Sequence, residues 1–120
     1  MNAAINLHVK LSKITELWTP KIVARMNDYH FKLTRLQGDF IWHSHQDTDE
    51  VFLVLEGELT IHLQDGDARV RRGEMIVIPK GVRHKPSSEK ECHVMLVEKA
   101  GTVNTGDAGG DRTASSDSWI

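Results

Sequence analysis

Between Pro20 and Ala100 the chain is a relay of short stretches rich in Val, Ile, Leu, Phe and Thr, each cut off by Gly, Pro, Asn or Asp. That punctuation leaves no room for long helices and predicts strands joined by turns. Lys21–Met26 and Tyr29–Leu36 read as two strands with Asn27-Asp28 as the turn between them. In the second, Tyr29, Phe31 and Leu33 alternate with His30, Lys32 and Thr34, the period of a half-buried strand. Gly38-Asp39 interrupts the pattern before Phe40-Ile41-Trp42-His43. Glu50–Leu55, Leu59–Gln64, Ala68–Arg71, Glu74–Ile78 and Glu91–Glu98 complete the strands, with Asp65-Gly66 as a hairpin signal. Pro79, Gly81 and Pro86 mark turns around a short piece at Val82–His84. About eight short strands at regular turn spacing predict an all-β sandwich or closed barrel.

Two of these strands constrain the assembly. Val51-Phe52-Leu53-Val54-Leu55 and Met75-Ile76-Val77-Ile78 are apolar at every position, so both of their faces call for cover. A leading helix, the tail or a second subunit can supply it, and a homodimer is expected. The leading helix is read over Asn6–Trp18, where Leu7, Leu11, Ile14, Leu17 and Trp18 fall at helical spacings; Asn6 is its N-cap and Pro20 its stop. The final stretch, GTVNTGDAGGDRTASSDSWI, has the composition of a flexible tail with an apolar tip, Trp119-Ile120. The expected organisation is therefore a leading helix over 1–20, a barrel over 21–100 and a tail over 101–120.

Composition narrows the function classes. The 120 residues fit one domain, and 15 Lys and Arg against 17 Asp and Glu give a formal charge of −2, with no basic footprint for nucleic acid or an anionic membrane. Cys92 is the single cysteine, so no internal disulfide is expected. No leader-like segment and no apolar run of membrane-spanning length is present, so a cytoplasmic location without membrane or nucleic-acid partners is expected.

The histidines carry the chemistry. His43 and His45 are two residues apart in a segment read as a strand, which places both rings on one face. Glu50 follows at the start of the next apolar strand, and His84 lies just past the turn at Pro79-Lys80-Gly81. Three imidazoles and one carboxylate make a ligand set for a divalent transition metal (Fe, Mn, Zn, Ni or Cu), with positions left open for water or substrate.

At these positions the chain resembles the cupin family. Its first motif matches Gly38, His43-Ser44-His45, Glu50 and Gly57; its second matches Gly73, Pro79-Lys80-Gly81 and His84. Two departures stand out. Gly38 precedes His43 by one residue fewer than is usual, and Ser88 replaces the closing Asn, so the amide's bond in that turn is lost or made by a hydroxyl. The resemblance covers Phe31 to Val97. It implies a double-stranded β-helix, or jelly-roll, barrel with metal in one mouth, held by His43, His45, Glu50 and His84. The helix and tail are loosely like those of small cupins of the mannose-6-phosphate isomerase-like type.

Two functions follow from the resemblance. One is a small-molecule metalloenzyme of isomerase or dioxygenase type; the other is a non-catalytic module that binds a sugar or another small ligand. No catalytic residue beyond the metal set is assigned. His8 is expected on the surface and His93 on a sheet face, while His30 and His62 are candidates to line the pocket, His62 also as a proton shuttle. Cys92 is expected as a small buried hydrophobe. Phe52, Val54 and Ile76 or Ile78 are expected along an apolar cavity wall, with Trp42 facing away. The basic residues Arg69, Arg71, Arg72, Lys80, Arg83 and Lys85 are read as solvated surface, with attraction of an anionic substrate as the alternative.

Overall fold

A computed structural model describes residues 3–120. One short helix, α1 (Leu7–Leu11), precedes β1 (Lys21–Met26), β2 (Tyr29–Asp39), β3 (Glu50–Glu56), β4 (Glu58–Leu63), β5 (Gly66–Arg71), β6 (Met75–Ile78) and β7 (His84–Lys99). The strands form one antiparallel sheet in the order β1-β2-β7-β3-β6, and β4 pairs with both β5 and β7. β7 is the spine. It runs beside β2 over most of its length, beside β4 at its start and beside β3 at its end. The sheet thereby closes into a jelly-roll barrel.

The Asn6 cap is as expected, its side chain accepting from the Val9 N–H at 3.0 Å. The helix itself is shorter than the spacing predicts and ends at Leu11. Leu11 and Ile14 do bury against Val23 and Leu33. Beyond them tertiary bonds win over the helix. The Trp18 N–H donates to Arg35 O at 2.9 Å, its Nε1 donates to Gln37 O at 2.9 Å, and its ring stacks on Phe40 at 4.9 Å. Trp18 takes a φ of 58° to make them.

Pro86, expected at a turn, lies inside β7, which absorbs the Val82–His84 piece from His84 onward. His84 exchanges backbone bonds with His43, so the groups of residue 86 point toward the same side, at the irregular segment 40–42. No ladder bond is lost there, and the Pro86 carbonyl still accepts from Phe40 N at 2.9 Å.

Both faces of β2 are covered. Leu33 packs under α1 in an outer cluster that Ile120 joins. The polar residues His30, Lys32 and Thr34 are all buried on the other face, toward the barrel interior. Gly57 shows why a turn here demands glycine: its φ is +86°, and a Cβ would stand 3.0 Å from Glu91 O and 3.1 Å from the Cys92 Cα.

Candidate metal centre

The four motif residues reach one point from three places. His43 holds its backbone through an isolated bridge to His84, the first residue of β7. His45 follows in an irregular segment, not the strand that sequence spacing suggests, and Glu50 opens β3. One ligand atom from each of His43, His45, Glu50 and His84 lies within 4.8 Å of the others, and all four residues are buried. His45 Nε2 is 3.5 Å and His84 Nε2 3.3 Å from Glu50 Oε1.

Hydrogen bonding orients the rings. His43 Nδ1 is 2.9 Å from Ile41 O, and His84 Nδ1 is 2.9 Å from Val82 O. A carbonyl only accepts, so each Nδ1 carries the proton and each Nε2 presents a lone pair to the centre. His45 Nε2, His84 Nε2 and Glu50 Oε1 are buried without a hydrogen-bond partner. Orphaned atoms of this kind cost about 1–3 kcal/mol each, and a shared cation would satisfy all three. The donor set fits a metal ion. Burial drives the His43 imidazole down to about 4, a shift only partly offset by its bond to Ile41, so at neutral pH it is uncharged.

Behind Glu50 lies a second buried layer that the motif does not contain. Lys32 Nζ is 2.9 Å from Glu98 Oε1, and the two side chains are 3% and 1% exposed. Lys32 also donates to Thr102 O at 3.1 Å. Glu98 in turn meets Glu50. Burial opposes charge on both carboxyls, but the His45 and His84 imidazoles and the Glu98 carboxyl beside it hold Glu50 well below the usual range. Burial and the adjacent Glu50 push Glu98 well above that range despite the pull of Lys32. Lys32 and Glu98 were hidden in alternating strand sequence; the polar row His30-Lys32-Thr34 is the signal, once the barrel interior is known to be polar at this point.

The remaining candidates divide. Phe52 lines the pocket in front of the centre, together with Leu36 and Leu96. Val54 and Ile78 are buried in the adjoining apolar core with Ile76 against it. Trp42 is exposed, as expected for a residue turned away. His30 is buried beside Trp119, ring centres 5.6 Å apart, outside the pocket lining. His62 does not line the pocket either. It sits in a cross-strand chain, with Nδ1 2.8 Å from Asp67 Oδ1 and Nε2 2.8 Å from Ser87 Oγ. Burial pushes the Cys92 thiol up to about 11, which fits an unreactive core position. Ser88 does replace the amide with a hydroxyl, placed between Lys90 O and Glu58 O, the latter at 3.0 Å. Arg69 and Arg71 are solvated and share Glu58.

The pocket is a narrow cleft with a cavity volume of about 30 Å³. His43 and Glu50 are its buried floor, and half-buried Trp18 and Asn104 belong to its rim. Among the described residues no helix is long and apolar enough to cross a membrane.

A fold of this kind around a three-His, one-Glu cluster is a cupin, and the comparisons agree. The cupin domain model matches residues 33–98, and the chain belongs to that family. It is 34% identical over 99 residues to the uncharacterised protein YdbB of Bacillus subtilis, covering 82% of this chain and 88% of that one. A crystal structure of a cupin-2 domain protein from Shewanella frigidimarina superposes with a TM-score of 0.78 at 49% identity, covering 79% and 93% of the two chains. A shorter match, 38% identical over 56 residues, is to 3-hydroxyanthranilate 3,4-dioxygenase of a Jannaschia species, with 43% of this chain and 31% of that one covered.

Proposed function

We propose that the chain is a metal-dependent enzyme of dioxygenase type, acting on a small apolar molecule inside the barrel, with His43, His45, Glu50 and His84 as the metal ligands. One observation carries the reading: buried, partnerless ligand atoms converge at the floor of an apolar pocket. Sugar isomerisation needs a polar pocket and a spare base to move a proton. Here the titratable side chains lining the pocket are His43 and Glu50 themselves, both in the ligand set. The short match to the Jannaschia dioxygenase points the same way.

A divalent transition metal held there supplies Lewis acidity and, where it is redox-active, electrons for dioxygen chemistry. The chain's own residues do the rest. Leu36, Phe52 and Leu96 exclude water and orient an apolar body. Thr34 Oγ1, buried and without a partner, offers a hydrogen bond at the pocket wall.

Elemental analysis of protein purified without added metal tests this reading. Retained iron or manganese, with oxygen uptake on adding a diketone or catechol, is the expected result. Retained zinc without oxygen uptake favours the binding-module or isomerase reading, and no metal with no thermal shift on adding it overturns the metal assignment. His84→Ala is expected to lose ~100-fold or more in metal affinity while the barrel still folds.

We also propose that a second copy covers the outer sheet face. Val51 lies between Val77 and Val97, and Leu53 between Met75 and Met95, an uncharged strip with Met75 62% and Val77 48% exposed. A strip without charges is complementary to itself across a two-fold axis. Size-exclusion chromatography with light scattering is expected to give a dimer that Val77→Glu converts to monomer with unchanged metal content. A monomeric wild type overturns it.

A further inference from the structure

The C-terminal segment, flexible by composition, is tied down at two places. At the first, it grips the residue between two ligand histidines: Ser44 N donates to Asp107 Oδ1 at 2.8 Å, and Asp107 N donates to Ser44 O at 3.0 Å. Gly106 makes the approach possible, since a Cβ there would stand 2.2 Å from Ser44 O. At the second, residues 118–120 extend the sheet at β1, with Ile22 N donating to Ser118 O at 2.7 Å and Ile120 N to Ile22 O at 3.1 Å. The segment is also tied to itself: Asn104 donates to Arg112 O at 2.9 Å and accepts from Ala114 N at 2.8 Å, while the Thr105 and Thr113 hydroxyls meet at 2.7 Å.

This strap lays one cation, in an outer cleft, against two rings of the pocket lining. The Arg112 guanidinium carbon is 5.0 Å from the Phe40 ring centre and 5.8 Å from that of Trp18, two residues that line the pocket. Its polar contact is a long one, 3.4 Å to Asp39 O. The Asp39 carboxylate is turned to Lys85 at 3.8 Å. Glu16 and Asp111 share the outer cleft with Arg112, yet among the described residues none pairs with it within 4.0 Å. An exposed arginine with unspent donors, held by aromatic rings at the edge of an apolar pocket, is suited to a planar carboxylate.

We propose that Arg112 determines specificity, reading the acid end of a small organic carboxylate whose apolar body lies in the pocket. The proposal deepens the metalloenzyme reading and rests on the pocket being its ligand site.

Benzoate and its neutral isostere benzamide are the probes, titrated by ligand-observed NMR into the full chain as purified and after loading with zinc. The wild type is expected to prefer benzoate about tenfold in both forms, and Arg112→Gln to remove that preference while leaving benzamide affinity unchanged; Arg112→Lys should keep part of it. Equal loss of both probes makes the arginine a structural prop and overturns the proposal, as does binding of neither probe at millimolar concentration. A preference seen only with zinc, and surviving Arg112→Gln, places the acid on the metal; it overturns the role of Arg112 and supports the metal site. If zinc never binds yet Arg112→Gln still erases the preference, the metalloenzyme reading fails and Arg112 keeps its role.

Discussion

In one region of the barrel interior Val54, Leu59, Ile61, Val70, Cys92 and Val94 are 3% exposed or less; in another, Lys32, His43, Glu50, His84 and Glu98 are sealed to 4% or less. Exclusion of water is equal in the two, but its sign is not. Each apolar side chain buried in the first stabilises the fold by about 1.5–3 kcal/mol. In the second, a cation and two carboxyls have been desolvated, and three ligand atoms lack partners. The lesson is that burial alone does not mark a core: the polar region survives because the apolar one carries it.

The sharpest way to break that contrast is to remove one partner of the buried pair. Lys32→Met leaves Glu98 and Glu50 without their cation and is expected to cost about 3–5 kcal/mol in urea denaturation, while Lys32→Met with Glu98→Leu recovers most of it. A single variant costing under ~1 kcal/mol would mean that Lys32 is not balancing buried charge. Truncation in the apolar region, Leu59→Ala, is expected to cost about 2–5 kcal/mol and to leave metal stoichiometry unchanged; lost metal would show that the two regions are one unit.

Acidity separates them on a finer scale. His43 is neutral in the fold down to about 4, whereas the unfolded imidazole takes up a proton near 6.5. The unfolded state binds more protons in that window, so the metal-free protein loses stability as pH falls from about 6.5 to about 4, and His43 contributes no slope above it. At ~1.4 kcal/mol per pH unit the total is about 3 kcal/mol. His43→Phe should flatten this part of the profile in denaturation measured from pH ~7.5 to ~4.5; an unchanged slope would assign it to other groups.

The cluster of four was legible because spacing carries it: two histidines flanking one residue, a carboxylate at a strand start, and a third histidine beyond a Pro-Gly turn. Strand identity was legible from β-branched residues between turn formers. What sequence hid was tertiary. The leading periodicity stops being helix where Trp18 is drawn onto Phe40, and Pro86 sits in a strand because its ring faces a segment without a ladder. The period of two in β2 showed two faces without telling that the polar one faces inward. The tail looked disordered because its anchors are backbone bonds and a missing Cβ at Gly106, neither of which composition reports.

β7 has a consequence of its own. His84 at its first residue and Glu98 near its last both reach Glu50, although a straight strand of this kind would hold them about 45 Å apart. The strand must arch back on itself, so the stretch between them works as a hoop of fixed circumference. Parity matters as much as length, because an even separation turns both side chains the same way. Losing a single residue between them would send one of the two out through the wall, however well the shortened barrel packed.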